Sequence, residues 1–287
     1  MLDTADQVFV AVFDGHGPQG STAAQFVKDT LPLSWLDYDI QHNTFDAMVE
    51  GCKSTDEKLT FGHCDCYLSG TTSCASFFRG NKLYIANVGD SRAVLARIAH
   101  GEYVAIELTS DHKPDREDER ERIEQCGGRV FEWGVPRVWL KNADMPGLAM
   151  SRSFGDQCAQ SIGVHAIPEL SEVTLSSADR FIIWASDGVW EFISSEEAVE
   201  IVAKYEKKGP QAAASALVEK SVQRWNEEED VVDDITVVVA FLRYTQTVQE
   251  LTEGANDSAE NEEISKDLNG MHEHEGKGNT SLDGYIK

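Results

Sequence analysis

Three aspartates in this chain share one local setting. Asp14 closes an apolar run in Phe13-Asp14-Gly15-His16-Gly17, Asp187 closes another in Ala185-Ser186-Asp187-Gly188, and Asp233 opens one in Asp233-Asp234-Ile235-Thr236. Carboxylates at strand ends that meet at one edge of a β core repel each other unless cations intervene. Such hard oxygen ligands suit magnesium or manganese. A glycine after the aspartate lets the backbone approach a cation and frees a carbonyl as a further ligand. One Asp-Gly pair by itself reads as a turn; the recurrence at three strand ends moves the reading toward a metal centre. His16, two residues beyond Asp14, could donate a proton to a leaving group beside the metals, although a lone histidine there is more often an ordinary surface or turn residue.

The elements that must position these groups follow from the apolar pattern. Residues 8–13 form a short apolar run that predicts a buried strand. Residues 72–78 and 82–88 predict a hairpin around Arg79-Gly80-Asn81, and Gly89-Asp90 turns the chain into a third strand over 91–97. Residues 181–185 and 235–242 are further β-rich runs. Helices are predicted over 18–31, over 114–126 with Gly127-Gly128 beyond its end, over 194–205 with Ser194 and Glu197 at capping-box spacing, and over 210–225. The strands come as consecutive hairpins, which favours antiparallel sheets covered by helices, an α+β arrangement, over a doubly wound fold.

Composition bounds the function. The 287 residues, 41% of them hydrophobic, suffice for a sizeable core. The net charge of −25 argues against nucleic-acid binding and against docking on anionic lipid, and no apolar run approaches the roughly 18 residues of a membrane span. Residues 1–7 carry no basic residue and do not read as a secretion signal. Six cysteines in a chain this long read as idle thiols of a reducing compartment, so a cytoplasmic or nuclear location is expected. His63-Cys64-Asp65-Cys66 lacks a second pair at zinc-site spacing and reads as an ordinary segment. The charge run 117–124 reads as a solvated helix face. Residues 245–287 hold ten acidic and three basic residues. That composition predicts an acidic disordered tail after a folded domain over 1–244.

Seven strings, in order over about residues 8–242, resemble the type 2C protein phosphatases of the metal-dependent PPM family. They are Val12-Phe13-Asp14-Gly15-His16-Gly17, Ser69-Gly70-Thr71-Thr72, Val88-Gly89-Asp90-Ser91-Arg92-Ala93, Thr109-Ser110-Asp111-His112-Lys113-Pro114, Gly147 through Asp156, Ala185-Ser186-Asp187-Gly188-Val189-Trp190, and Asp233-Asp234-Ile235-Thr236. The resemblance implies a four-layer αββα sandwich of two antiparallel sheets, with residues 127–146 as a variable flap. It implies two magnesium or manganese ions, with Asp14 bridging both, the Gly15 carbonyl binding one, and Asp187 and Asp233 holding the other. Asp111 matches a position contributing to a weaker third metal. His16 matches the general acid. The implied reaction is hydrolysis of phosphoserine or phosphothreonine in a protein substrate by a metal-activated hydroxide, in a monomeric enzyme.

The chain also departs from the family pattern. Glu191 stands where an aspartate is usual, which puts the third metal's geometry in question, and Asp234 stands where asparagine is common. Family members carry an N-terminal strand pair that supplies an arginine for the substrate phosphate. Here only residues 1–7 precede the first strand and no arginine occurs before Arg79. The domain therefore reads as N-terminally incomplete, with Arg152 the first candidate for the phosphate-gripping role. The alternative is a catalytically impaired phosphatase fold acting as a phosphoprotein-binding or regulatory module.

Overall fold

The computed structural model describes residues 7–62, 65–244 and 280–285. In chain order the elements are β1 (Gln7–Val12), β2 (Gly15–His16), α1 (Gly20–Asp37), α2 (Thr44–Gly62), β3 (Gly70–Thr71), β4 (Ser73–Arg79), β5 (Lys82–Val88), β6 (Arg92–Ala99) and β7 (Glu102–Glu107). They continue with α3 (Glu117–Gln125), β8 (Arg129–Trp133), β9 (Val135–Trp139), β10 (Pro146–Leu148), β11 (Phe154–Gly155), α4 (Gln157–Gln160), β12 (Glu169–Thr174) and β13 (Asp179–Ala185). The last are α5 (Asp187–Trp190), α6 (Ser195–Ala203), α7 (Pro210–Glu228), β14 (Val237–Tyr244) and β15 (Thr280–Tyr285).

Two antiparallel sheets dominate, one ordered β1-β4-β5-β12 and the other β15-β14-β13-β6-β7. Their facing sides share a core that includes Val12, Phe78, Ile85, Leu95, Ile182, Trp184 and Val238. Trp184 Nε1 donates across it to Ser76 Oγ at 2.8 Å, so the one polar atom of a fully buried indole is satisfied. The outer face of the first sheet packs on α1 and α2 through Val27, Leu31, Trp35, Met48, Phe77 and Tyr84. The outer face of the second packs on α6 and α7 through Val199, Val202, Leu217, Phe181 and Val239. Helix, sheet, sheet, helix is the four-layer αββα order, because each sheet has an apolar face on both sides and needs a cover on each.

The capping box closes as expected: Ser194 Oγ accepts from the Glu197 N–H at 3.2 Å. The flap is the hairpin β8–β9 with β10 at its side, turning at Gly134, whose φ of 74° favours glycine. Among the described residues four cysteines are free: Cys52, Cys74 and Cys158 are buried and Cys126 is exposed. Burial pushes the Cys52 thiol to about 12, so it is inert. Cys66 departs from the idle-thiol expectation, since it is held in a disulfide.

The tail is also revised in part. Residues 245–279 lie outside the described residues, but Thr280–Tyr285 forms β15 and pairs along β14 from Val239 to Tyr244. Residues 1–6 lie outside the described residues too, and β1 stands at the edge of its sheet. No helix among the described residues is long and apolar enough to cross a membrane.

Candidate active site

The carboxylates collect at one end of the sandwich because the strand ends are tied together there. Asp14 follows β1, and its N–H donates to Thr72 Oγ1 at 3.0 Å while its carbonyl accepts from Thr72 N at 2.9 Å. Thr72 Oγ1 in turn meets Ser91 Oγ at 2.7 Å, which ties in the turn that carries Asp90. Gly15 lets α1 begin directly behind Asp14: a Cβ there would stand 2.2 Å from the Gly20 carbonyl oxygen. On the second sheet, Ser186 exchanges bonds with Thr236 and donates from Oγ to the Asp234 carbonyl at 3.1 Å. Those bonds set the Asp187 turn beside Asp233 and Asp234.

Asp14 and Asp187 share a side-chain hydrogen bond. Burial, then the charge of Asp187, with Asp90 and Asp233 adding to it, holds the Asp14 carboxyl above the ordinary range. Asp187 is raised as well, chiefly by burial and by Asp90, with Lys113 opposing. Asp187 Oδ1 and Asp90 Oδ1 are buried without a hydrogen-bond partner. An all-oxygen donor set with orphaned, mutually repelling carboxylates fits a hard divalent cation.

The other expected ligands stand differently. Asp233 is exposed, and its Oδ1 accepts from the Asp234 N–H at 2.7 Å. Among the described residues no three His, Cys, Asp or Glu side chains are gathered as a finished metal cage. Asp111 is held in a fork by Arg92, with Nε to Oδ1 at 2.9 Å and Nη2 to Oδ2 at 2.8 Å. Glu191 has an exposed side chain; its backbone N–H, bonded to the Asp187 carbonyl, is what connects it to the site. Asp90, in the Gly89-Asp90-Ser91-Arg92 string, joins the site although neither a strand-end run nor its spacing singles it out. It is 1% exposed and receives Lys113 Nζ at 2.6 Å.

His16 lies on β2 with Nε2 2.6 Å from Asp156 Oδ2. Burial lowers its pKa, but the hydrogen bond and charge of Asp156, with Asp90 and Asp187 behind them, win and the net shift is upward. Arg152 is not available to a phosphate. Its guanidinium donates to both Glu119 oxygens and to the Ile167 carbonyl. Glu119 itself corrects the solvated reading of the charge run: it is fully buried, bonded by Arg122, Arg152 and Ser151.

A cavity of about 850 Å³ opens beside Asp14 and Gly15. β1, α1 and the start of β14 line it, with Phe9, Val10, Phe13, Ile235 and Val238 among its apolar walls and Lys28 the one basic residue among the described residues.

Comparison with known proteins decides the family. Residues 2–230 match the family model described as protein phosphatase 2C. The chain belongs to the protein phosphatase 2C family. It is 40% identical over 268 residues to probable protein phosphatase 2C 73 of Arabidopsis thaliana, covering 83% of this chain and 71% of that one. Against probable protein phosphatase 2C 64 of Oryza sativa subsp. japonica it is 42% identical over 253 residues, covering 83% and 59%. A solved serine-threonine phosphatase 2C from Toxoplasma gondii superposes with a TM-score of 0.73 at 24% identity, over 82% of this chain and 85% of that one, which supports the sandwich fold. As a protein phosphatase 2C the chain is a metal-dependent protein serine/threonine phosphatase, a hydrolase that removes phosphate from phosphoproteins.

Proposed function

We propose that this chain hydrolyses phosphoserine and phosphothreonine with two magnesium or manganese ions held by Asp14, the Gly15 carbonyl, Asp187 and Asp233. The observation that carries the reading is the half-buried Asp14–Asp187 pair, both raised, with Asp187 Oδ1 left without a hydrogen-bond partner, near a histidine whose pKa is also raised. When bound, the ions supply a hydroxide at neutral pH and draw charge from the phosphoryl oxygens. The chain's own residues do the rest. Gly15 presents its carbonyl at the head of α1, and His16 keeps a proton for the departing alkoxide. Asp90, with its buried unpartnered oxygen, suits the weaker third cation better than Asp111, whose two oxygens are taken by Arg92.

The phosphoprotein-binding alternative draws support from two observations: Arg152 is bound to Glu119, and among the described residues lining the cavity Lys28 alone carries positive charge. Manganese-dependent release of phosphate from a phosphothreonine peptide separates the two. Turnover abolished by chelation and restored by manganese supports the enzyme. Saturable peptide binding without turnover supports the binding module.

A further inference from the structure

We propose that Asp156 is the positioning residue for His16: it fixes Nε2 as the protonated, anchored nitrogen and leaves Nδ1 as the nitrogen that donates. The inference rests on the reading of His16 as proton donor and names the device that makes it one.

A separate small sheet exists for this contact. β2, β3 and β11 are two residues each, ordered β11-β3-β2, with Gly70 paired to His16 on one side and to Gly155 on the other. Strands this short bury little surface, so their cost is met by the neighbours they bridge. Gly70 leaves no space unused. A Cβ on it would lie 2.3 Å from the Phe154 carbonyl oxygen, 2.4 Å from Asp156 Oδ2 and 2.9 Å from His16 Nε2. Asp156 is 2% exposed and sits at φ 48°, ψ 48°, the left-handed region that a non-glycine residue occupies only when its surroundings hold it there. Those surroundings are on hand. Its N–H donates to the Ser69 carbonyl at 2.9 Å, and its own carbonyl accepts from Ala159 N at 2.7 Å and Gln160 N at 3.1 Å. Ser153 Oγ donates to Oδ2 at 2.5 Å, the same oxygen that meets His16.

A carboxylate oxygen accepts only, so His16 Nε2 must carry the hydrogen of that bond. The second proton of the imidazolium is then on Nδ1, which is buried and has no hydrogen-bond partner among the described residues. In the proposed step the P–O bond to the serine or threonine oxygen breaks with its electron pair going to that oxygen. The Nδ1 proton moves to it and forms the alcohol. His16 is left neutral with its hydrogen still on Nε2, and Asp156 neither gains nor loses a proton. Without Asp156 the ring can turn over or take the other tautomer, and the donor nitrogen is lost.

The test uses leaving groups that differ in their need for a proton. An alkoxide leaving from a phosphothreonine peptide needs one; a nitrophenolate leaving from p-nitrophenyl phosphate does not. In Asp156→Asn, kcat on the peptide is expected to fall by about 10²-fold or more, and kcat on the aryl phosphate by far less. Manganese affinity by calorimetry should stay as in the parent, and adding Asp156→Asn to His16→Gln should cost little further. Equal losses on both substrates, or an unchanged peptide rate, overturn the proposal. A second readout does not depend on turnover. Nitrogen-15 spectra of the His16 ring at fixed pH should show a proton held on Nε2 in the parent and its loss in Asp156→Asn, and identical spectra overturn the proposal on their own. Failure of the parent to hydrolyse the peptide would instead count against the proposed function, with the ring spectra still deciding the role of Asp156. Ser153→Ala, which keeps the carboxylate but removes one of its donors, should move both readouts the same way by less, and serves if Asp156→Asn does not fold.

Discussion

Arg152 grips Glu119 through Nε and Nη2, with the shortest contact at 2.7 Å, from 33 residues further along the chain. Arg122 holds the same carboxylate from one turn along α3, and Ser151 donates to it as well. This knot joins α3 to the segment that leads into β11 and Asp156. Removing one partner of a buried ion pair strands the others, so Glu119→Gln should cost about 3–5 kcal/mol in urea or thermal unfolding.

The same residue gives a pH dependence of defined sign. Burial opposes the charged form of Glu119, but its bonds to Arg122, Arg152 and Ser151 win, and its carboxyl is held well below the ordinary value of 4.5. A depressed carboxyl contributes stability that is fully present above its unfolded pKa and is lost as pH falls toward the folded one. The stability gap between the parent and Glu119→Gln should therefore be constant from neutral pH down to about pH 5 and shrink below about 4.5. Paired denaturation curves across pH 3–7 would show it; a gap that grows on acidification would contradict the assignment.

Asp187 offers a stability test of the metal site. With no cation present, burial holds both carboxyls up, helped at Asp14 by the charge of Asp187 and at Asp187 by the charge of Asp90, while the hydrogen bond with Asp14 pulls Asp187 the other way. Asp187→Asn should melt no lower than the parent in a chelating buffer. Manganese should raise the melting temperature of the parent by mass action and do little for the variant. An equal manganese shift in both proteins would remove Asp187 from the ligand set.

Asp111 and Asp90 should separate cleanly. Asp111→Asn breaks the fork to Arg92 and should cost about 1.5–3 kcal/mol of stability, the range for hydrogen bonds to charged groups. It should leave manganese stoichiometry as in the parent. Asp90→Asn should lower that stoichiometry at millimolar manganese. The opposite pattern in titration calorimetry would return the third cation to Asp111.

Much of this was legible in the sequence, for reasons that particular residues show. The strand over Lys82–Val88 and the cap at Ser194 are written locally, by an apolar run between turn residues and by a hydroxyl three residues before a glutamate. Helix α2 has no clear signature in the sequence, because the face it buries is Ala47, Met48, Gly51, Cys52, Thr55 and Leu59, mostly small or polar. Its Gly51 is a seat for Trp35, where a Cβ would come within 2.5 Å of the indole, and no hydrophobic period announces that. Glu119 looked solvated since a charge run does not reveal that arginines converge on one of its members. Asp156 lay inside a recognised string, but its partner His16 is 140 residues away, and only the small sheet brings them together.

The C-terminal strand leads to the last expected outcome. Composition alone predicts a dispensable tail, yet β15 pairs with β14 in register from Val239 with Tyr285 to Tyr244 with Thr280. On its other side β14 pairs with β13 over Val237 to Phe241. In an antiparallel ladder, amides alternate between the two neighbours. A chain ending at Thr245 therefore leaves every second N–H of 239–244 without a strand partner and turns β14 into an open apolar edge. Hydrogen exchange should quicken at those alternating amides, while the ones facing β13 stay protected, and the shortened chain should aggregate at lower concentration than the full one. Val237 and Val238 lie before the β15 register and act as an internal control. Unchanged protection across 239–244 would mean that β15 adds nothing to this edge, and the tail would be dispensable after all.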